Sequence, residues 1–213
     1  FFGYTDDVTY TAPASSSAYP TISYTLPDTP ADQKDIIVAY SKDITKPSDN
    51  TLNLTFQHIL TRINFAAKLV ESITITGAKG GAATYTFGGT EGKGGNWNIT
   101  GSAPASGYSY TFDNTVTAKD DIYDYTQNNN SLMLYPQSLT DAKITVKYKT
   151  EKDNATFFNG SKEVALTGEW TNGQSIRYIL TLPVGAEKMS VNTTYDEDWN
   201  ATDNEQTPKT PVL

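Results

Sequence analysis

The stretch Lys143-Ile-Thr-Val-Lys-Tyr-Lys149 alternates polar and apolar side chains with a period of two. Ile144, Val146 and Tyr148 fall on one side, and the remaining residues fall on the other. Successive side chains of a β-strand point to opposite faces of a sheet, so this alternation predicts a half-buried strand with one solvated side. Ile176–Leu182 has the same pattern. The sequence therefore predicts a protein built from β-sheets.

The same pattern, together with turn residues, predicts short strands along the rest of the chain. They are Phe1–Tyr4, Thr21–Leu26, Asp35–Ser41, Ser72–Thr76, Thr84–Phe87, Asn96–Thr100, Tyr108–Phe112, Thr115–Ala118, Leu132–Tyr135, Glu163–Leu166 and Met189–Thr194. A helix over Ala31–Ser41 is the alternative for one of them, but its β-branched residues and lack of caps favour a strand. Asp120–Ser131 and the stretch from Asn200 onward are predicted to be polar loops.

The longest regular stretch, Leu52–Leu69, changes phase near its middle. The apolar phase is even-numbered from Leu52 to His58 and odd-numbered from Ile63 to Leu69. One strand cannot keep both sets on the same face, because its side chains alternate strictly. We therefore predict a bulge or sharp bend at Ile59–Arg62, or a strand that crosses from one sheet of a sandwich to the other.

Many short strands separated by turn signals at spacings of about 8–12 residues predict an all-β fold, an antiparallel sandwich or barrel. Some nine strands follow Glu71, enough for a complete sandwich, whereas the four before it are too few to close one. We therefore expect residues 1–70 to be the remainder of an N-terminal β-sandwich domain. Residues 71–213 would form a C-terminal β-sandwich domain, so the first domain is incomplete.

The composition excludes several classes of function. A net charge of −8 argues against nucleic acid or an anionic membrane surface as a partner. The absence of cysteine excludes a disulfide framework and thiolate metal sites. The longest apolar run, Ile36–Tyr40, is far shorter than the roughly 20 residues of a membrane helix. Because the chain begins at Phe1 rather than Met, we expect a processed product from which any targeting segment has been removed.

Residues with catalytic or metal-binding chemistry are sparse. His58 is the only histidine and is in phase with Phe56, so we expect it to pack inward or at a sheet edge. Catalysis by histidine needs a nucleophile or acid partner, and a metal site needs further ligands. Three acidic clusters lack the spacing of a calcium loop and are expected to be solvated. They are Asp6-Asp7, Asp120-Asp121 with Asp124, and Asp196-Glu197-Asp198.

The glycine-rich run Gly88–Gly95 fails as a phosphate loop, because Lys93 is followed by Gly94 rather than Ser or Thr. We expect it to be a turn between two paired strands. Ser102 and Ser106 lack the Gly-x-Ser-x-Gly context of a nucleophile. We therefore predict no catalytic, cofactor-binding or metal-binding residues. A β-sandwich enzyme with two carboxylates from distant strands stays open as a hypothesis.

The three tryptophans, Trp97, Trp170 and Trp199, offer a second alternative. Indole rings can form a stacking platform for sugars, and an outer-membrane glycan-binding β-sandwich module would use them in that way. Packing in the core or at a sheet edge is the simpler interpretation, because each lies in or beside a predicted strand.

Five parts of the chain resemble, in order, the fimbrillin-like (Mfa-like, FimA-superfamily) proteins of Bacteroidetes. Leu54-Thr-Phe-Gln-His58-Ile-Leu-Thr-Arg62-Ile-Asn-Phe65 is similar to their Phe-x-His-x-Leu-x-x-Ile-x-Phe stretch. The other parts are Asp32–Ala39, Leu132–Gln137 with Ile144–Tyr148, Trp170–Gly173 with Tyr178–Leu182, and Met189–Trp199. One departure is Ile176, which stands where the family has the first tyrosine of a Tyr-x-Tyr pair.

The resemblance implies transthyretin-like Greek-key β-sandwiches, export as a lipoprotein, and display at the cell surface, in the outer membrane or a fimbrium. In relatives, proteolytic removal of an N-terminal segment opens a groove that a strand of another subunit fills. The implied function is a fimbrial (pilin-like) subunit or surface adhesion protein that assembles by β-strand addition, without catalysis.

The resemblance also implies partners. They are other fimbrial subunits, by strand exchange, and ligands on host or bacterial surfaces. Contact with a membrane is expected only through a lipid anchor that this chain does not contain. Phe1–Tyr4 resembles a segment that the family carries well inside its first domain, so we expect the first domain to have an unpaired edge.

Overall fold

The computed structural model describes residues 2–41, 53–67, 70–88, 94–112, 123–124, 131–152, 155–183 and 188–195. In this part of the chain the regular structure is sixteen strands and one 3-10 turn at Pro30–Asp32. In chain order the strands are Phe2–Tyr4 (β1), Thr9–Thr11 (β2), Thr21–Thr25 (β3), Ile37–Tyr40 (β4), Gln57–His58 (β5), Thr61–Ala67 (β6), Ser72–Thr76 (β7), Ala82–Thr86 (β8), Asn96–Ile99 (β9), Tyr108–Thr111 (β10), Tyr123–Asp124 (β11), Leu132–Leu134 (β12), Lys143–Lys152 (β13), Ala155–Ala165 (β14), Ser175–Thr181 (β15) and Ser190–Tyr195 (β16). The predicted all-β fold is confirmed.

Two sheets form a first sandwich. One has the strand order β1-β4-β5, and the other has the order β2-β3-β8-β9. Aromatic rings join their inner faces: Phe2 meets Phe87 edge-on with ring centroids 5.2 Å apart, and Tyr19 meets Tyr40 in the same way at 5.7 Å. The apolar residues of both sheets face one another, as the alternation predicts.

Two further sheets form a second sandwich. One contains β11, β6, β15 and β16, with β12 also paired to β6, and the other has the order β10-β7-β13-β14. The inner residues of β13, which include Ile144 and Val146, are fully buried. Among the described strands every pair is antiparallel except β6 with β15, which is parallel. Alternation predicts which face of a strand is buried but not the direction of its neighbour, so the sequence did not predict this pair.

The predicted bend between His58 and Ile63 is confirmed. The strand β5 ends at His58 in the first sandwich, and β6 begins at Thr61 in the second. Ile59 and Leu60, which join them, are buried. The phase therefore changes because the chain crosses from one pair of sheets to the other, whereas the alternative form of the prediction was a crossing between the two sheets of one sandwich.

Other predictions differ in extent. The hairpin of β13 and β14 is longer at both arms than the predicted Lys143–Lys149 and Glu163–Leu166. The alternation understated β14 because Gly160 and Lys162 interrupt the apolar residues of its inner face. The sequence did not predict β2, whose three residues are all exposed, nor β11, where it predicted a loop. The predicted strand at residues 115–118 lies outside the described residues.

Strand pairing crosses the predicted domain boundary in both directions. The strand β8 pairs with β3 of the first sandwich, although it follows residue 70. The strand β6 precedes residue 70 and pairs with β15 and β12 of the second. The division into residues 1–70 and 71–213 stays a prediction about folding units. Any such units share hydrogen-bonded sheets.

Buried polar groups join the two sandwiches. The Tyr135 hydroxyl, next to β12, lies 3.0 Å from the carbonyl oxygens of both Tyr24 and Gly81. The Gln33 amide donates to Pro27 O at 3.1 Å and accepts from Met133 N at 2.8 Å. Because such groups are costly to leave unbonded away from water, they fix the position of one sandwich against the other.

None of the helical structure in the described residues is long and apolar enough to cross a membrane.

Replacement of Tyr135 by Phe should lower the free energy of unfolding by about 0.5–1.5 kcal/mol, because it removes the buried hydroxyl that lies 3.0 Å from Tyr24 O and Gly81 O. Denaturant titration measures this value. Tyr10→Phe is the matched control, since Tyr10 is 37% exposed, and its effect should stay within about 0.5 kcal/mol. Equal stabilities of the two variants would contradict the assigned role of Tyr135.

Candidate functional site: the open rim of the first sandwich

The edge strands β1 and β2 lie on the same side of the first sandwich, and together they are called the first rim. Among the described strands, β1 pairs only with β4, and β2 pairs only with β3. The opposite side is bridged, because the Trp97 indole on β9 donates to Ile59 O at 2.7 Å. The first rim therefore leaves two backbone edges available on one side of the sandwich.

The hydrogen bonds of β4 determine which backbone groups of β1 face outward. Thr5 N donates to Ile37 O at 3.3 Å, and Ile59 N donates to Ile36 O at 3.0 Å on the other side of β4. Antiparallel pairs alternate between bonded and non-bonded positions, so Gly3 and Thr5 bond to β4. The N–H and C=O groups of Phe2 and Tyr4 consequently point away from the sheet.

The hydrogen bonds of β3 determine in the same way which backbone groups of β2 face outward. Phe87 N donates to Pro20 O at 3.2 Å, and Leu26 N donates to Gly81 O at 3.0 Å, so the even-numbered residues of β3 bond to β8. The odd-numbered residues of β3 then bond to Thr9 and Thr11 of β2. Tyr10 is left with its N–H and C=O directed outward.

Aromatic side chains line the first rim. Tyr4 and Tyr10 stack across the gap between the two edge strands, with ring centroids 5.2 Å apart and planes 5° from parallel. Tyr40 stacks on Phe2 at 5.0 Å and contacts Tyr19. Tyr4, Tyr10 and Tyr19 are 37–39% exposed. The residues that offer free backbone groups are thus the ones whose rings are half-covered.

The outer side of β1 carries another exposed ring. A Cβ atom at Gly3 would lie 3.0 Å from Cε1 and Cζ of Phe56, so glycine allows this ring to lie directly on the β1 backbone. Phe56 is 48% exposed. Four of the five exposed large apolar side chains in the described residues therefore lie at or beside the first rim, and Phe157 is the fifth.

The sequence did not predict Phe2, Tyr4, Tyr10 or Tyr19 as site residues. One signal was present, since the first 40 residues contain seven aromatic residues. Their common location on two edge strands depends on long-range pairing, which alternation does not reveal.

His58 lies on β5, at a sheet edge, as predicted. Its Nδ1 atom is 2.6 Å from Oδ2 of Asp35, so the pair ties β5 to the segment before β4. Within the described ranges, no group of three or more histidine or acidic residues is arranged to hold a metal ion. Asp6 and Asp7 lie in the turn between β1 and β2.

Two of the three tryptophans are used in packing. Trp170 is buried and donates to the Tyr178 hydroxyl at 2.9 Å. Trp97 packs against Tyr85 and Tyr135, with ring centroids 5.3 and 4.8 Å away. Trp170 is thus closed to a sugar, and Trp97 is half-buried against two tyrosine rings.

The remaining candidate residues lie in a connection between strands or outside the described residues. Ser102 and Ser106 lie in the connection between β9 and β10. Trp199, Asp120 and Asp121, the side chain of Asp124, the cluster 196–198 and glycine-run residues 89–93 lie outside the described residues.

A shallow cavity of about 420 Å³ lies on the outer face of the larger sheet, away from the rings of the first rim. Hydroxyl side chains and the Asp7 carboxylate line it, among them Thr9, Ser23, Thr25 and Thr84. A polar, open lining of this kind fits ordinary hydration of a threonine-rich sheet face.

Burial perturbs the tyrosine pKa values on β8 in the first sandwich and on β10 in the second. Desolvation raises the pKa of Tyr85 from 10.0 to about 12, against a smaller lowering effect of the hydrogen bond from the Gly95 backbone. Desolvation alone raises the pKa of Tyr110 to about 12. Both hydroxyls therefore stay neutral in the folded protein well above their ordinary range.

Comparison with known proteins supplies the context for this site. The sequence profile of the fimbrillin-like family matches residues 1–199. A fimbrial protein from Bacteroides vulgatus has a similar structure, with a TM-score of 0.70 and 17% identity, over 92% of this chain and 76% of that one. A candidate cell adhesion protein from Bacteroides uniformis has a TM-score of 0.54 and 14% identity, over 87% and 75%. No curated protein sequence matches the chain.

The raised pKa values of Tyr85 and Tyr110 predict loss of stability in alkali. The folded state holds these protons more tightly than the unfolded state, so the stabilisation is complete below pH 10 and disappears as the pH rises towards 12. Circular dichroism and tyrosinate absorbance, followed together, should show unfolding in that interval. Complete tyrosine ionisation near the ordinary pKa of 10.0, with the fold retained, would contradict the prediction.

Proposed function

Because the chain belongs to the fimbrillin-like family, we propose that it is a fimbrial subunit or surface adhesion protein whose first rim accepts a β-strand from another subunit. Its location is the cell surface, in a fimbrium or at the outer membrane. Its function is structural and adhesive and involves no catalysis. Its partners are other fimbrial subunits, which exchange strands with it, and ligands on the surfaces to which it adheres.

The observation that carries the proposal is the coincidence of free backbone groups and half-exposed rings on β1 and β2. An edge strand offers unpaired N–H and C=O groups that another strand can bond. A strand lying along β1 would bond to Phe2 and Tyr4, and one along β2 would bond to Tyr10. Alternate side chains of the added strand would point towards the gap that Tyr4 and Tyr10 now close.

The free energy gained by burying the exposed rings is comparable to the free-energy cost of association. Covering the exposed part of Tyr4, Tyr10 and Tyr19 removes about 230 Å² from water, which is worth about 6 kcal/mol. Association itself costs about 4–15 kcal/mol. Over most of that range ring burial alone leaves no net binding energy, so we assign the remainder to the backbone ladder.

Proline substitution separates the ladder from the rings. Tyr4→Pro removes the outward N–H of β1, whereas Gly3 and Thr5 keep their bonds to β4, as proline at a strand edge allows. Tyr4→Thr is the matched control, because it loses the same ring but keeps the N–H. Sedimentation velocity of the full-length protein over a wide concentration range should show assembly by the Thr variant and a strong loss of assembly by the Pro variant.

The corresponding pair on β2 is Tyr10→Pro and Tyr10→Thr. If the added strand bonds to β2 rather than β1, the loss should appear in this pair and not in the first. Circular dichroism checks that each variant is folded. Assembly by both proline variants to the same extent as their threonine controls would show that strand addition at the first rim is wrong.

A further inference from the structure

The second sandwich also has an edge, and it is longer than the first rim. The strand β14 has 11 residues and, among the described strands, pairs only with β13. Leu166 N donates to Ala142 O at 2.8 Å, so the even-numbered residues of β14 from Phe158 to Val164 bond to β13. Asn159, Ser161 and Glu163 direct their N–H and C=O groups outward. By backbone alone, β14 is the better site for an added strand.

A lysine occupies the inner face of this edge. Lys162 lies opposite Val146, which is fully buried between the two sheets. The inner positions of the adjacent strands β7 and β13 are apolar and buried: Ile73, Ile75, Ile144, Val146 and Tyr148. Lys162 is half-buried, and its Nζ lies 5.2 Å from the centroid of the Phe158 ring. Its stem therefore covers apolar surface while its charge stays at the border of the core.

Phe158 and Gly160 complete this arrangement. The Phe158 ring packs on Tyr148, with centroids 4.7 Å apart. A Cβ at Gly160 would lie 3.3 Å from Cζ of Phe158, so the absence of a side chain lets the ring fold across the strand. Lys162, Phe158 and Gly160 together form what we call the β14 cap.

The far end of β14 is irregular as well. Thr150 pairs with Phe158 and Glu151 pairs with Thr156, which leaves Phe157 as an unpaired bulge residue. Bulges and inward-pointing charges are two devices that keep edge strands from pairing with other chains. A strand added to β14 would extend the apolar layer over Lys162 and take its ammonium out of water. Burial of an unpaired charge is costly enough to offset several new hydrogen bonds.

We infer that Lys162 closes the β14 edge to strand pairing, so that β14 is not used for assembly despite its length. The inference rests on the proposed function only where it contrasts β14 with the first rim. The role of Lys162 itself is a property of β14 and is tested there.

The test removes the charge of Lys162. Lys162→Met keeps the unbranched stem. Lys162→Thr introduces a threonine, the residue that β16 has at position 193. Lys149→Met is the matched control, because it makes the same change on the exposed outer face of β13. Both Lys162 variants of the full chain should self-associate at least about tenfold more tightly than the control, as measured by sedimentation velocity.

Hydrogen exchange locates the new contact. In the associated Lys162 variants, the amides of Ser161 and Glu163 should become protected with rising concentration, whereas in the Lys149→Met control they should not. Association with protection only at Tyr4 or Tyr10 would overturn the inference and leave the proposed function standing. So would equal association by Lys162→Met, Lys162→Thr and the control. Loss of assembly at the first rim would contradict the proposed function instead.

Lys162→Arg provides the remaining comparison. It preserves the inward charge with a different head group, so it should associate no more tightly than the unaltered protein. An Arg variant that associates like the Met variant would show that side-chain shape, not charge, closes the edge, and that result would overturn the inference.

Discussion

The hydrogen-bonding demand of the backbone at strand edges is the constraint on which the rest of this structure depends. A sheet satisfies the groups between its strands, but the outermost strands always present one row of N–H and C=O groups to the surroundings. With four open sheets in the described part of the chain, the protein has many such rows. Three of these edges differ in the side chains that cover them. Trp97 bridges one, stacked tyrosines lie at the first rim, and an inward-pointing lysine lies on β14.

The first rim combines order with accessibility. The sheets behind its edges are fixed at the buried joint between the sandwiches, where Tyr135 and Gln33 bond to main-chain groups of distant segments. The rim itself is closed only by rings that remain half-exposed. A partner strand would therefore meet a prearranged backbone and lose little by displacing water from Tyr4 and Tyr10, which is the general advantage of a preorganised site.

The sequence allowed the all-β fold, most strand positions and the bend between His58 and Ile63 to be predicted, because each depends locally on which residues alternate. It did not allow the parallel pairing of β6 with β15, since periodicity contains no information about neighbours. It also missed β2, whose residues are all exposed, and the part of β14 that precedes Glu163. That part of β14 was missed because Gly160 and Lys162 interrupt the apolar alternation of its inner face. A departure from the pattern at an edge strand is where a functional explanation is to be expected.

The most direct test of the central claim is a structure of assembled subunits determined by electron cryomicroscopy. The account predicts an additional strand along β1 or β2, at the ladder spacing of about 4.8 Å, with its alternate side chains entering the gap between Tyr4 and Tyr10. Subunits that contact one another through other surfaces, with no strand added at the first rim, would contradict it.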